Sequence, residues 1–221
     1  KLFAEFFHRI DRENKYLFVT GFDYRKSVKL YRNMTWATRV AGSTNFGSSR
    51  LVYYMGGVDN WMFAKFNQDI WVDLSKEYAY QTLATSMRGF EQNIRNGTSF
   101  ILISTELRIP FVQLISQKKL GSAFLNSLQL VLFGDFGTAW TGLTPYSEDN
   151  CLYTRYIYWG PNQENTIKIK RQTEPFVAGF GAGLRATLFG YFFKLDYAWG
   201  VEDYKIHDKK GMLIFSIGLD F

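Results

Sequence analysis

Cysteine is almost missing from this chain of 221 residues. A single thiol, Cys151, excludes an internal disulfide and a multi-cysteine metal site, and it reads as an ordinary loop residue. Histidine is nearly as scarce. His8 and His207 lie far apart, one in a strand pattern and one in a loop, so neither a zinc site nor a Ser-His-Asp arrangement is expected. No apolar run approaches the ~20 residues of a membrane helix. A secretory leader is also lacking, and since the chain opens within a strand pattern, its N-terminus is expected to be processed or a fragment boundary. The net charge of +6 is scattered, with only Lys168-Ile169-Lys170-Arg171 and Lys209-Lys210 as small clusters. Solvated loops account for these, and no nucleic-acid partner is expected. Gly179-Phe180-Gly181-Ala182-Gly183 imitates a phosphate loop, but it continues as a strand and no acidic residue follows at the required distance. These glycines fit better on a face that leaves room for a packed loop. Nothing calls for a cofactor, a metal or an enzyme. Asn96-Gly97-Thr98 matches a glycosylation sequon and reads more simply as the turn that starts a strand.

What is abundant is aromatic. Phe, Tyr and Trp make up 19% of the residues and hydrophobic residues 47%, yet the mean hydropathy is only −0.17. A membrane β-barrel has this profile, because lipid-facing apolar positions alternate with polar interior ones and aromatic girdles are added. A soluble β-protein with an aromatic core is the competing reading. Strand periodicity supports eight segments. They run from Leu2 to about Asp11, Tyr16 to Lys26, Met34 to Gly42, Phe100 to Ile109, Leu128 to Trp140, Phe176 to Leu188, Tyr191 to Glu202, and Gly211 to Phe221. Tyr16, Phe18, Thr20, Phe22 and Tyr24 share one face of the second, and Leu17, Val19, Gly21, Asp23 and Arg25 the other. Tight turns near Lys29 and Gly190 alternate with long connections, 43–96 and 141–174. Short periplasmic turns and long outer loops give a barrel this asymmetry. The connection 111–127 is the exception, being long for a periplasmic turn.

Regular alternation lapses from Ser43 to Asn96. A loop of that length is uncommon and usually functional, and its aromatics predict that it packs on something rather than acting as a linker. Near its end stands Met87-Arg88-Gly89-Phe90. Glycine permits a tight turn and arginine brings a charge that needs a partner. Glu106, Arg108 and Asp135 fall on strand faces shared with small or polar neighbours. A charge facing lipid at mid-depth costs roughly 2–4 kcal/mol for Arg or Lys, so these residues are expected to face the interior. Two arrangements suit the acids equally: a forked link from Arg88, or solvation with a local Glu106–Arg108 pair.

Four motifs together resemble the surface-antigen superfamily of outer-membrane assembly and secretion proteins, which includes BamA-, TamA- and FhaC-like barrels. Met87-Arg88-Gly89-Phe90 is similar to the family's (Val/Leu)-Arg-Gly-Phe loop, with Met in place of the branched residue. Tyr54-Met55-Gly56-Gly57 resembles the aromatic-x-Gly-Gly that opens the same loop, at a longer spacing than usual. Phe133-Gly134-Asp135-Phe136-Gly137 resembles the Phe-x-Asp-x-Gly strand signature. Phe215, Ile217, Leu219 and Phe221 look like the β-signal by which such barrels are themselves recognised for insertion.

The resemblance covers nearly the whole chain. It implies an all-β, transmembrane antiparallel β-barrel in the bacterial outer membrane, with about eight strands here as the C-terminal half of a sixteen-stranded barrel. It further implies that loop 43–96 enters the lumen, that Arg88 contacts Asp135 with Glu106 as a second partner, and that 141–174 is extracellular. The insertion between Gly57 and Met87 resembles that of members whose barrel follows a periplasmic β-propeller instead of POTRA repeats. The implied function is insertion, assembly or translocation of outer-membrane or secreted proteins. Expected partners are outer-membrane lipid, unfolded client proteins and other assembly-machinery subunits. The alternative is a passive outer-membrane channel or surface-binding barrel complete at eight strands. Such a barrel has an interior only large enough for side chains, which disfavours holding a fifty-residue loop inside it. A soluble β-sandwich would need polar outer faces, and the fourth, fifth and eighth segments lack them.

Overall fold

Alternation of period two places successive side chains on opposite sides of a pleated backbone, so a chain rich in such segments buries one face by forming a sheet. A computed structural model describes residues 1–8, 15–72, 78–110, 112, 121–148, 150, 152, 154–159, 165–170 and 173–218. Its main sheet is built from β1 (Leu2–His8), β2 (Tyr16–Lys29), β3 (Thr35–Gly47), β7 (Ser99–Ile109), β8 (Gln129–Trp140), β11 (Val177–Leu188), β12 (Tyr191–Glu202) and β14 (Met212–Gly218), with the two-residue β13 (Lys205–Ile206) also paired to β12. Every pairing in this sheet is antiparallel. The sheet is open, with β1 and β14 at its two ends. The reading of Leu219 and Phe221, the turn 11–14 and Cys151 falls outside the described residues.

The connections sort by end. β2–β3, β7–β8 and β11–β12 turn at one end, where Arg32, Asn33 and Phe189 carry the positive φ of tight turns. The β7–β8 connection includes a short helix, Ala123–Ser127, whose N-cap Ser122 accepts the Leu125 N–H. Ser127 Oγ accepts the Thr187 N–H at 2.9 Å and so ties this longer connection to the end of β11.

At the opposite end the structure revises the reading of 43–96 as irregular. β3 continues through Gly47, paired with Leu17 of β2. A small second sheet follows, made of β4 (Arg50–Met55), β5 (Tyr78–Leu83) and β6 (Arg95–Gly97) in the order β5-β4-β6. The β4–β5 pair is parallel, and long-range parallel pairing leaves no hairpin signal in a sequence. Asn96 and Gly97 belong to β6, opposite Tyr54 and Tyr53, and not to a turn. Likewise 141–174 contains a hairpin of β9 (Thr154–Trp159) and β10 (Asn165–Lys170).

One face of the main sheet is buried beneath the 43–96 insertion. Leu17, Val19, Ala41, Phe100, Leu102, Ala139 and Val177 from the wall pack with Leu51, Tyr53, Met55, Met87, Phe90 and Ile94 from the insertion. Burying each such side chain contributes about 1.5–3 kcal/mol, which explains why an aromatic-rich insertion does not remain a linker. The other face stays apolar and exposed from strand to strand, through Tyr24, Trp36, Ile103, Leu132, Phe136, Phe180, Leu195 and Leu213. A contiguous apolar surface of this extent calls for a cover. Among the described residues no helix is long and apolar enough to cross a membrane.

Candidate functional site

The site begins as a row of residues across the sheet. Register places Arg39 of β3, Ser104 of β7, Asp135 of β8, Gly179 of β11 and Gly200 of β12 side by side on the buried face. The next row holds Glu106, Phe133, Gly181 and Ala198. The wall is therefore polar on β7 and β8, and bare of side chains at the facing glycines of β11 and β12.

Met87-Arg88-Gly89-Phe90 rests on this seat. Its shape is fixed by the other glycine motif: Met87 N–H donates to Gly57 O at 2.8 Å, and Gly57 N–H to Phe90 O at 3.0 Å. Gly57 has φ +72° and Gly89 φ +92°, conformations that L side chains rarely adopt. At Gly179 the limit is space, since an added Cβ would lie 1.9 Å from Arg88 O. Only a glycine there allows the tip to lie on β11. Met87 and Phe90 are fully buried on either side of the arginine.

Arg88 is 6% exposed and Asp135 2% exposed. Arg88 Nε donates to Asp135 Oδ2 at 2.7 Å and Nη2 to Oδ1 at 2.7 Å, a two-point fork. The Arg88 backbone N–H adds a third bond to Oδ2 at 3.1 Å. Nη1 donates to Glu106 Oε1 at 2.6 Å, and Nη2 also reaches Ser104 Oγ at 3.2 Å. Ser104 in turn donates to Asp135 Oδ1 at 2.6 Å. The guanidinium lies over the Phe133 ring, 3.8 Å from its centroid. Glu106 bonds both arginines, its second oxygen accepting from Arg108 Nε at 3.0 Å. Arginine keeps its charge in proteins, so this buried cluster has no neutral form to fall back on, and its geometry has to be satisfied.

Further ionic contacts were not singled out by the sequence. Arg95, 1% exposed, donates to Glu202 Oε1 at 2.7 Å and to the carbonyls of Ile94, Glu174 and Pro175. It anchors the end of the insertion to the chain entering β11 and the end of β12. Close by, Tyr146 donates to Glu174 at 2.8 Å, and this bond raises the phenol's pKa above its ordinary value. Arg39 bonds Asp23 Oδ2 and Thr85 Oγ1, each at 2.8 Å, which holds the chain just before the tip. Arg185 and Asp196 form a buried fork between β11 and β12. The available signal was charge at inward positions of alternating strands, which Asp23, Arg39, Arg185 and Asp196 share with Asp135.

Phe215 and Ile217 lie in β14. Leu213 on their face is 61% exposed, whereas Ile214 on the opposite face is 0% exposed. Among the described residues no group of three or more His, Cys, Asp or Glu side chains is placed to hold a metal ion. A cavity of about 480 Å³ lies between the insertion and β12, lined in part by Phe66, Glu91, His207 and Met212. Phe90 and His207 meet as a tilted pair beside it, 5.8 Å between centroids.

A family model, described as the Omp85 superfamily domain, matches residues 6–221. No curated protein and no solved structure matches the chain.

Proposed function

The chain belongs to the Omp85 superfamily, whose domains reside in the bacterial outer membrane and serve protein insertion or translocation without enzymatic chemistry, and on that premise we propose a division of labour within it. The Arg88 tip braces a barrel wall from inside, and the edge of β14 does the work of accepting a client strand. The observation that carries this reading is the seat of Arg88, which joins β7 to β8 through Glu106, Ser104 and Asp135 while its backbone lies on Gly179 of β11. One residue thereby meets three wall strands, two through its guanidinium and one through its backbone.

In this reading the described sheet is the C-terminal half of a sixteen-stranded barrel, the insertion 43–96 fills its lumen, and 141–174 faces outward. The edge of β14 that faces away from β12 offers its backbone groups to an extended client segment, which adds by β-augmentation. Outer-membrane lipid, unfolded clients and other assembly subunits are the partners. Phe215, Ile217, Leu219 and Phe221 serve as the signal for the barrel's own insertion.

The test is reconstitution of the full-length protein into liposomes with a urea-denatured outer-membrane protein as client. Its folding is followed as the appearance of a heat-modifiable band. Accelerated folding is expected, with most of that acceleration lost in Arg88→Ala. Ion conductance without any acceleration identifies a passive channel and overturns the proposal.

A further inference from the structure

A strand has two edges, and both edges of β14 are in use. Along one, β14 pairs with β12 from Met212↔Ala198 to Gly218↔Phe192, which sets Ser216 opposite Lys194. Ser216 also forms an antiparallel bridge with Trp61. A residue bridged to two partners has one on each side, so Trp61 lies on the edge facing away from β12. Met62 N–H donates to Phe215 O at 3.0 Å along the same edge. The segment comes from the insertion that carries Arg88, and it is short: Asn60 turns with φ +56°, and its amide lies beside Gly218.

Its side chains divide between the interior and the surface. Trp61 packs inward against the cluster of Val58, Val131, Phe133, Ala198 and Ile214. Met62 and Phe63 are exposed, 54% and 72%. The segment is linked to the braced tip through Asp59, whose N–H donates to Ser86 Oγ at 3.2 Å, and Ser86 Oγ in turn donates to Asp59 Oδ2 at 3.2 Å. The contact is thin where it matters, because one backbone bond and one bridge hold it to β14.

We infer that Asn60–Met62 is an internal strand mimic, seated on the client-binding edge of β14 at Phe215–Ser216 and displaced by an antiparallel client strand. This rests on the reading that β14 is the working edge, and it names the ligand class, an extended segment with an inward-facing aromatic residue opposite Ser216. Covering with a loop is one way to blunt a strand edge that would otherwise pair indiscriminately. A full-length client strand forms more ladder bonds than three residues do and so replaces them.

The experiment uses the full-length protein in liposomes, carrying Cys151→Ser with Trp61→Cys and Ser216→Cys, which face each other in the bridge. Oxidation is expected to link the pair and abolish client folding, and dithiothreitol to restore it. In parallel, Met62→Pro removes the N–H given to Phe215. It is expected to raise about tenfold the affinity for a synthetic peptide of alternating apolar and polar residues, read by a benzophenone cross-linker at position 215. Failure of the cysteine pair to link, or client folding that is unchanged in the linked protein, overturns the inference and leaves the proposed function standing. Absence of client acceleration in wild type and reduced protein alike overturns the proposed function. The peptide then decides the mimic alone: tighter binding to Met62→Pro than to wild type supports it, and equal binding overturns it.

Discussion

Arg88 is a buried charge whose value lies in satisfied geometry. Four of its five side-chain N–H donors are engaged, by Asp135, Glu106 and Ser104. Removing the guanidinium leaves Asp135 without a countercharge, a loss of about 3–5 kcal/mol. Arg88→Ala is therefore expected to lower markedly the temperature at which the compact, heat-modifiable form is lost. Arg88→Lys keeps the charge without the fork and should fall in between. Gly179→Ala offers an independent check, since it alters no charge but sets a methyl against Arg88 O. Overpacking of that kind costs about 1–3 kcal/mol, and it should make the chain near Arg88 more susceptible to protease. If Gly179→Ala leaves both stability and cleavage unchanged, the tip does not rest on β11.

At the scale of elements, the described part of the insertion 43–96 is a folded unit held at several points. Thr85 is tied to Arg39, Arg88 to β7 and β8, and Arg95 to Glu202 and the carbonyls of Glu174 and Pro175. The anchors differ in kind. Arg95 keeps its backbone acceptors when the carboxylate is neutralised, so Glu202→Gln should cost only about 1.5–3 kcal/mol, the range of one charged hydrogen bond. Arg95→Met strips the acceptors of their donor and should cost more. Urea unfolding in detergent, followed by tryptophan fluorescence, compares the two. Equal effects would mean that the backbone carbonyls contribute nothing. The insertion was recognisable in the sequence as something that packs, from its aromatics and its length. Its β4–β5–β6 sheet was not, because Arg50–Met55 finds its parallel partner across a gap that leaves no local trace.

For the molecule as a whole, the two faces of one sheet set its place in the membrane. Leu132 is 45% exposed on the apolar face, while the adjacent Val131 and Phe133 are buried under the insertion. Leu132→Arg should therefore oppose membrane insertion by about 2–4 kcal/mol near mid-depth, and Leu132→Phe should be nearly neutral. The yield of heat-modifiable protein on folding into vesicles measures both. A tolerated arginine would mean that this face meets water.

The sequence by itself determined the strands and their faces, because alternation of side chains is a local property of the pleat. Asp135 with Val131 and Phe133, or Glu106 with Leu102, could be assigned to one side without any knowledge of neighbours. It also determined which tip carries a charge in need of a partner, since Arg88 stands between Met87 and Gly89-Phe90 in a long insertion. Tertiary structure alone decided who meets whom. Inter-strand register put Ser104, Asp135, Gly179 and Gly200 in one row, and only then did the glycines of β11 and β12 become the floor on which Arg88 rests. It also brought Trp61 to Ser216, residues 155 positions apart by their numbers (216 minus 61). No periodicity records such a meeting, because backbone pairing at a sheet edge depends on where the chain returns and not on which side chains it carries.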